Sequence, residues 1–251
     1  MSEYTLKTIR ELGSRRPDDE QRIIDENWPE FLMNDPIGND YFGQLYRNFP
    51  DFQFVLYDGE TMVAACNSIP AIWDLNPDHL FDAGWDWALE SGFHDHQFER
   101  TPTTLCALSI TVAKAYQGKG VSTYAIRAMK NIAIQNHFNA LIAPVRPSLK
   151  HRYPLTPMKH YITWKQADGA PFDPWLRAHW RLGAQIVKVA PHSMVIPGSV
   201  DQWERWTGMK FFENGDYIIP GALNPAYAYL EADLISYVEP NVWVHHPIEN
   251  A

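Results

Sequence analysis

The chain has 251 residues, of which 45% are hydrophobic, and its formal net charge is −9. This apolar content is enough for a sizeable core, while the dispersed basic residues of an acidic chain do not favour nucleic-acid binding. No apolar run approaches the ~18 residues of a membrane span and the polar start has no signal-peptide core, so we predict a cytoplasmic protein without a membrane partner.

The first seventy residues predict, in chain order, a strand, two helices and a β-hairpin. Alternating polarity marks the first strand, and an acidic cluster after Pro17 favours a helix start. Asp58-Gly59, between two β-rich runs, is among the stronger short hairpin signals. The predicted elements are a strand over residues 4–10, a helix from residue 17, a short helix over 28–34, and strands over 52–57 and 61–68.

A segment rich in tryptophan and acids, residues 70–102, separates the third predicted strand from the fourth. We predict a short helix over residues 83–92 and read the segment as an insertion with aromatic side chains for a core or an apolar pocket. Its titratable residues are Asp86, Glu90, His94 and His96. His94-Asp95-His96 lacks a third ligand at a recognisable spacing, so we predict no metal.

Residues 105–135 predict a strand, a glycine turn and a helix N-terminus. The apolar run LCALSITV is followed by AYQGKGVS and then by a helical pattern. Gly118 and Gly120 let the backbone approach a ligand without a Cβ in the way, and Ser122 is predicted to be the N-cap. Free N–H groups at a helix start bind phosphate well, so this turn predicts a site for a phosphorylated ligand.

Spacing excludes two common phosphate motifs for this turn. A Walker A loop needs four residues between its first glycine and Gly-Lys-Ser/Thr, whereas Lys119 lies between the two glycines here. A Rossmann fingerprint needs a third glycine at Thr123 and an acid roughly 20 residues later, and both are missing.

The remaining chain predicts a second half of the sheet and a C-terminal extension. Asp173-Pro174 begins a helix that ends near Gly183, and Cys66 and Cys106 lie in apolar runs typical of buried, reduced thiols. The predicted elements are a strand over 139–145, an extended loop over 146–157, strands over 185–189 and 192–196, a helix over 200–207, and loops with short edge strands over 217–244.

Two short motifs resemble the GNAT superfamily of acyl-CoA-dependent acyltransferases. The run 117–122, QGKGVS, resembles the family's (Arg/Gln)-x-x-Gly-x-(Gly/Ala) loop, with Ser122 as a departure at the last position. The run 178–184, AHWRLGA, resembles the later helix ending in which an aromatic residue, usually Tyr, precedes a glycine by four positions. The resemblance covers roughly residues 50–195. It implies a GNAT-like α/β fold: a mixed, mostly antiparallel central sheet flanked by helices, here one domain over residues 1–251 with the insertion at 70–102 and an extension at 199–251.

The resemblance also implies which residues bind acetyl-CoA or another acyl-CoA as co-substrate. The pantetheine arm would pair with the edge of the fourth strand, the Val112 N–H would face the thioester oxygen, and His179 would replace the family's tyrosine as the acid for the leaving thiolate. The implied binding residues are Ile110, Thr111, Val112, Gln117, Gly118, Lys119, Gly120, Val121 and Ser122.

Charge is divided unevenly along the sequence. Residues 1–100 hold 20 acidic against 7 basic residues, and residues 101–198 hold 2 against 12. The basic middle suits the coenzyme A polyanion, and the acidic first part suits a cationic acceptor.

No carboxylate on the fourth strand identifies a general base, so the base remains open between water, Ser109 or Thr111 through water, and the insertion. Without a credible covalent nucleophile, we predict direct transfer to a small-molecule amine. Two alternative functions remain open: transfer to a carrier-protein thiol, and a non-catalytic acyl-CoA-binding module. The oligomeric state is also open between a monomer and a homodimer.

Overall fold

The computed structural model describes residues 4–248, and the ends of the predicted domain, residues 1–3 and 249–251, lie outside that range. Within residues 4–248, nine strands form one sheet in the order β1-β2-β3-β4-β5-β9-β8-β7, with β6 paired to β9. The strands are β1 (Thr5–Thr8), β2 (Gln53–Asp58), β3 (Thr61–Ala71), β4 (Thr104–Val112), β5 (Ala140–Val145), β6 (Gln185–Gly198), β7 (Gly215–Tyr217), β8 (Ala226–Tyr229) and β9 (Leu234–Pro247).

In the described part of the chain, eight α-helices flank the sheet, and short 3₁₀ turns connect several of them. The helices are α1 (Asp18–Asn27), α2 (Pro36–Tyr41), α3 (Leu45–Asn48), α4 (Gly84–Gln97), α5 (Val121–Gln135), α6 (Met158–Tyr161), α7 (Pro174–Arg181) and α8 (Val200–Thr207). Within the described residues, the β4–β5 pair is the parallel one and the other ladders are antiparallel. The predicted mixed, mostly antiparallel sheet flanked by helices is therefore confirmed. No described helix combines the length and the apolar content needed to cross a bilayer.

Each face of the sheet has its own apolar core. On one face, α5 and α7 bury residues such as Met129 and Leu176 against Leu105 and Leu141. On the opposite face, α1, α3 and α4 bury their apolar sides against β2, β3 and β4. We call these the α5 face and the α1 face.

The predicted elements before residue 184 correspond to observed ones, with shifted ends. The hairpin at Asp58-Gly59, the strand before the glycine turn and the helix after it are confirmed. The predicted helix over 28–34 is a 3₁₀ helix, Glu30–Asn34, and α2 and α3 follow it without having been predicted. The insertion helix α4 has 14 residues rather than the ten predicted. Both cysteines are free and buried, as predicted.

The prediction for residues 217–244 was wrong, because a long central strand lies where short edge strands were expected. β9 has 14 residues and pairs with β5 and β8 along one side and with β6 along the other. Pro240 suggested an edge, since proline cannot donate a ladder hydrogen bond. In the structure Pro240 lies between the Glu239↔Met194 and Asn241↔Ala190 pairs, where β6 bulges and β5 pairing has not yet begun, so its missing N–H disrupts no ladder.

The two strands predicted over 185–189 and 192–196 are one strand, β6, with an irregularity between Ala190 and Met194. The bulge serves as the docking point for the insertion. The Ser193 hydroxyl accepts a hydrogen bond from the Trp85 backbone N–H at 2.8 Å and donates to Asn241 at 2.7 Å. The start of α4 is thereby fixed to the centre of the sheet.

Candidate functional site

Strands β4 and β5 separate after a short parallel contact. They pair only from Thr104↔Ala140 to Cys106↔Ile142, although both strands continue for several residues. Beyond this point β5 keeps β9 as a partner and β4 keeps β3. The inner edge of β4 therefore faces an opening rather than another strand.

Backbone alternation determines which groups of β4 face this opening. The Ala113 N–H donates to the Val63 carbonyl on the β3 side at 2.9 Å. Because successive residues of a strand direct their N–H and C=O groups to opposite edges, Val112 and Ile110 present theirs to the opening. A bulge at Leu108, where β4 has one residue more than β3, precedes this segment.

The glycine turn after β4 has the backbone that its sequence requires. Gly118 and Gly120 have φ values of +74° and +84°, and a Cβ built on either would meet nothing within 4 Å. Glycine adopts this left-handed region without the strain that a side chain brings. The two glycines thus leave open space beside the turn.

The start of helix α5 differs by one detail from the prediction. The N-cap is Gly120, not Ser122, and the helix begins at Val121 without a side-chain cap. The first intrahelical bond runs from the Tyr124 N–H to the Gly120 carbonyl, so the N–H groups of residues 121–123 have no helical acceptor. Such N–H groups, at the positive end of a 15-residue helix, suit an anionic ligand.

Gln117 connects the turn to the strand edge and to α1. Its side-chain amide donates to the Asn27 side chain at 2.7 Å and lies 3.5 Å from the Val112 carbonyl. Lys119 is exposed, with its ammonium 4.8 Å from the centre of the Tyr116 ring. The Gln117 and Lys119 N–H groups donate to the Lys114 and Tyr116 carbonyls, so the turn is held by its neighbours and the open N–H groups are those at the start of α5.

A single cavity of about 970 Å³ joins the glycine turn to both faces of the sheet. It passes through the opening between β4 and β5, where Ala107 and Ala143 leave room for it. Of the predicted site residues, the cavity lining includes Ile110, Thr111, Val112, Gln117, Gly118, Val121, Ser122 and His179. Lys119 and Gly120 belong to the same turn, so one site brings the predicted residues together.

His179 lies in α7 on the α5 face and is almost completely buried. Its Nδ1 lies 2.9 Å from Nε2 of His246, and its ring packs edge-on to Trp175. Its Nε2 has no hydrogen-bond partner in the described part of the chain. Burial, and secondarily the neighbouring His246, lower the pKa of His179 well below its ordinary value, so its imidazole is neutral at pH 7. It can offer one N–H or one lone pair to a bound ligand.

Asp173 orients α7 and the proline-rich loop over residues 146–157. Its buried carboxylate caps α7 through the N–H groups of Trp175 and Leu176, as predicted for the N-cap. The same carboxylate accepts hydrogen bonds from the backbone of Ser148 and Leu149, within that loop. The loop is therefore fixed against the helix that carries His179.

The α1 face of the cavity has polar side chains that come from distant parts of the sequence. The Ser109 hydroxyl donates to Asn67 at 2.8 Å, and the Thr111 hydroxyl accepts from the Trp28 indole at 3.0 Å. Arg146, at the end of β5, donates to the fully buried Glu239 and to the Gly221 carbonyl. Thr111, predicted as a co-substrate residue, therefore directs its side chain to the α1 face.

Two carboxylates, the buried Asp35 and the half-buried Asp86, interact at the edge of the same face. Asp35 caps α2 by accepting the Gly38 N–H at 2.7 Å. Burial raises the pKa of Asp35 to about 6, and burial together with the Asp35 charge raises the pKa of Asp86 to about 8. The two groups share a proton near neutral pH, because like charges this close disfavour double ionisation.

The insertion contributes Trp85 to the cavity wall. The Trp85 indole donates to the Leu108 carbonyl at 3.0 Å and stacks on Phe42. His94 and His96 instead contact the rings of Phe98 and Phe49. Within residues 4–248 no three His, Cys, Asp or Glu side chains form a metal-binding group.

Sequence reasoning did not single out the polar residues of the α1 face that the fold assembles. Tyr46, Asn67, Arg146 and Glu239 line the cavity, yet each comes from a different element. Only Arg146 had a local signal, as the first residue of an unusually long proline-rich loop.

Comparisons with known proteins agree with this geometry. The arginine N-acetyltransferase avaD of Aspergillus versicolor is 34% identical to the chain over 279 residues, which cover 98% of this chain and 94% of that protein. No family model matches the chain.

Two solved structures share the fold at lower identity. The loading GNATL domain of CurA from Lyngbya majuscula has a TM-score of 0.61 at 19% identity, covering 98% of both chains. The GNAT-like decarboxylase GphF, solved with isobutyryl-CoA, has a TM-score of 0.57 at 14% identity, covering 98% of this chain and 100% of its own. The near-complete match to avaD, together with the splayed strands and the glycine turn, establishes the family: the chain belongs to the GNAT superfamily of N-acyltransferases.

Proposed function

We propose that the protein transfers an acetyl or related acyl group directly from coenzyme A to an amine. The observation that carries this proposal is the opening between β4 and β5, which joins the glycine turn on one side of the sheet to a polar chamber on the other. A thioester held in the opening is accessible to a nucleophile from the α1 face while its phosphates remain at the start of α5.

The donor is bound chiefly by backbone groups. The pyrophosphate takes the open N–H groups at the start of α5, residues 121–123, and the pantetheine amides pair with the free edge at Ile110 and Val112. The Val112 N–H is directed at the thioester oxygen, where one such donor contributes ~3 kcal/mol to the transition state. His179, in its neutral form, can direct its one N–H at the departing sulfur as a hydrogen-bond donor. A neutral imidazole does not release that proton to a thiolate, so we assign His179 stabilisation of the sulfur rather than the expected role of acid, and the thiolate takes its proton from elsewhere.

Direct attack follows from the chemistry of the cavity wall. Burial raises the pKa of the Cys66 thiol well above its ordinary value, and Cys106 is also fully buried, so neither thiol is a ready nucleophile. The amine therefore attacks the thioester carbon, the C–N bond forms, and the C–S bond breaks with its electron pair going to sulfur.

The acceptor is a small cationic amine, and arginine is the first acceptor to test. The similarity to avaD, named as an arginine N-acetyltransferase, supports this choice. The chamber also offers charged groups for both ends of an amino acid, with Arg146 directly after β5 and Asp35 before α2.

The cofactor and acceptor claims are tested in two steps. Calorimetry with acetyl-CoA and longer acyl-CoAs measures donor binding, and no binding to any of them overturns the proposal. Thiol release is then followed with a panel of amines that includes arginine, and acylated products are identified by mass. A holo-carrier protein serves as the alternative acceptor, since thioester formation on it with no amine product would favour S-acyl transfer. Donor binding without turnover of any acceptor would favour a non-catalytic acyl-CoA-binding module.

A further inference from the structure

A chain of hydrogen bonds leads from β4 to a buried carboxylate on α1. Ser109, on the α1 face of β4, donates to the Asn67 side-chain oxygen at 2.8 Å, and the Asn67 amide donates to the Tyr46 hydroxyl at 3.3 Å. The Tyr46 hydroxyl in turn donates to Glu20 Oε1. Ser109, Asn67 and Tyr46 line the cavity, so the chain begins beside the thioester position and ends inside the protein.

Glu20 is 1% exposed and incompletely paired. Its Oε2 makes no hydrogen bond within the described residues, and Arg16 lies 3.5 Å away as its nearest cation. Burial raises the pKa of Glu20, while Tyr46 and Arg16 oppose that effect. The charged and titratable groups around it are Arg16 on its own helix, Tyr46 on α3 and the Cys66 thiol on β3.

We propose that Tyr46 and Glu20 form the proton acceptor for the attacking amine, with Tyr46 as the catalytic residue and Glu20 acting through it. This inference rests on the proposed amine acylation. The proton of the incoming ammonium passes to the Tyr46 oxygen as the Tyr46 O–H proton passes to Glu20. The neutral amine nitrogen then bonds to the thioester carbon and loses its remaining excess proton to solvent. After the thiolate departs, the proton returns by the same path to the thiolate or to solvent.

The geometry supports this direction of transfer. Burial and the Glu20 carboxylate raise the pKa of Tyr46 well above its ordinary value, so its proton moves to Glu20 as the amine proton arrives rather than beforehand, and the Asn67 amide, which donates to the Tyr46 oxygen, assists that transfer. A carboxylate with a raised pKa is a better proton acceptor than an exposed one. The pair also provides the general base that neither β4 nor the histidines of the insertion supply.

Tyr46→Phe and Glu20→Gln test the inference, with the fastest amine of the panel and hydroxylamine as nucleophiles. A primary amine is largely protonated at pH 7, whereas hydroxylamine is not, so only the amine needs a base before attack. We expect both variants to lower kcat for the amine by about 10²-fold at pH 7, with the KM for acetyl-CoA unchanged within about twofold. The loss should shrink to less than about fivefold with hydroxylamine, and with the amine at pH 9.5.

Tyr124→Phe is the matched control, because it removes a tyrosine hydroxyl that bonds a backbone carbonyl on β1 rather than an acid. Equal losses with both nucleophiles, or no loss in Tyr46→Phe, would overturn the inference while leaving amine acylation intact. If the unmodified protein acylates no amine, the proposed function itself fails. Circular dichroism monitors folding, and Glu20→Gln keeps an acceptor for the Tyr46 hydroxyl should Tyr46→Phe fold poorly.

Discussion

The two sides of the cavity are built differently. On the α5 face, the site consists of backbone groups from one continuous segment, the edge of β4 and the turn at Gly118 and Gly120. On the α1 face, it consists of side chains from separate elements, such as Tyr46, Asn67 and Arg146. Backbone groups suit a ligand part that never varies, the coenzyme A phosphates and amides, whereas side chains can be exchanged to suit a particular acceptor.

Gly120→Val disrupts the glycine turn on the α5 face and should have the largest effect, a loss of acetyl-CoA affinity. Its φ of +84° strains any side chain, and the new Cβ enters the space proposed for the phosphates. We expect the acetyl-CoA Kd to rise by about 10³-fold, measured by calorimetry. Gly13→Val is the control, because Gly13 has a φ of +81° and nothing within 4 Å but lies outside the cavity lining. Equal loss of affinity in both variants would mean that strain alone explains the effect.

His179→Phe tests whether a side chain is also essential on the α5 face. We expect kcat to fall by about 10²-fold with the donor Kd unchanged, since the imidazole acts on the leaving thiolate rather than in binding. Because the pKa of His179 lies well below its ordinary value, the loss should be constant between pH 6 and 8. The exposed His160, changed to Phe, is the comparison variant, and a loss that varies across this pH range would contradict the assignment.

Asp86→Asn tests the carboxylate pair of the α1 face through the free energy of unfolding. The folded-state pKa of Asp86 is about 8, above that of an unfolded aspartate, so folding binds a proton and stability falls as pH rises from about 4 to 8. An asparagine has no charge to lose and can donate to Asp35. We expect the variant to be about 2 kcal/mol more stable than the parent at pH 9, with little difference at pH 4.

Urea unfolding at several pH values measures this effect. Asp78→Asn, at an exposed position, should leave the pH dependence unchanged. Because the buried histidines have lowered pKa values and raise stability over the same pH range, the readout is the difference between variant and parent. A difference that does not grow between pH 5 and 8 would exclude the shared proton.

Arg146→Lys should give the smallest effect, confined to the acceptor. Lysine keeps the charge but cannot bond Glu239 and Gly221 with one planar group. We expect the acceptor KM to rise about fivefold, ~1 kcal/mol, with an unchanged KM for acetyl-CoA. Arg152→Lys, in the same loop but exposed, is the control. A change in the donor KM of Arg146→Lys would place this arginine on the other side of the site.

The same contrast explains what the sequence could predict. Residues 105–135 encode a strand, a turn and a helix through local patterns, so the donor side could be predicted from one segment, apart from the N-cap at Gly120 rather than Ser122. The Asp35–Asp86 pair and the Tyr46–Glu20 bond join residues 26 or more positions apart, and only the fold brings them together. The central strand β9 was not predicted because a proline within a strand indicates an edge strand. Pro240 is tolerated here because β6 bulges opposite it, and that bulge cannot be read from the sequence.

The place of β9 also has a consequence for how the chain folds during synthesis. Its residues leave the ribosome after those of every other strand, yet β5 and β6 depend on it for pairing. Until residue 247 is available, β5 presents an unpaired apolar edge and the nascent sheet is exposed to aggregation. Contacts between such distant segments raise contact order, so folding should be slow and completed only after most of the chain has been translated.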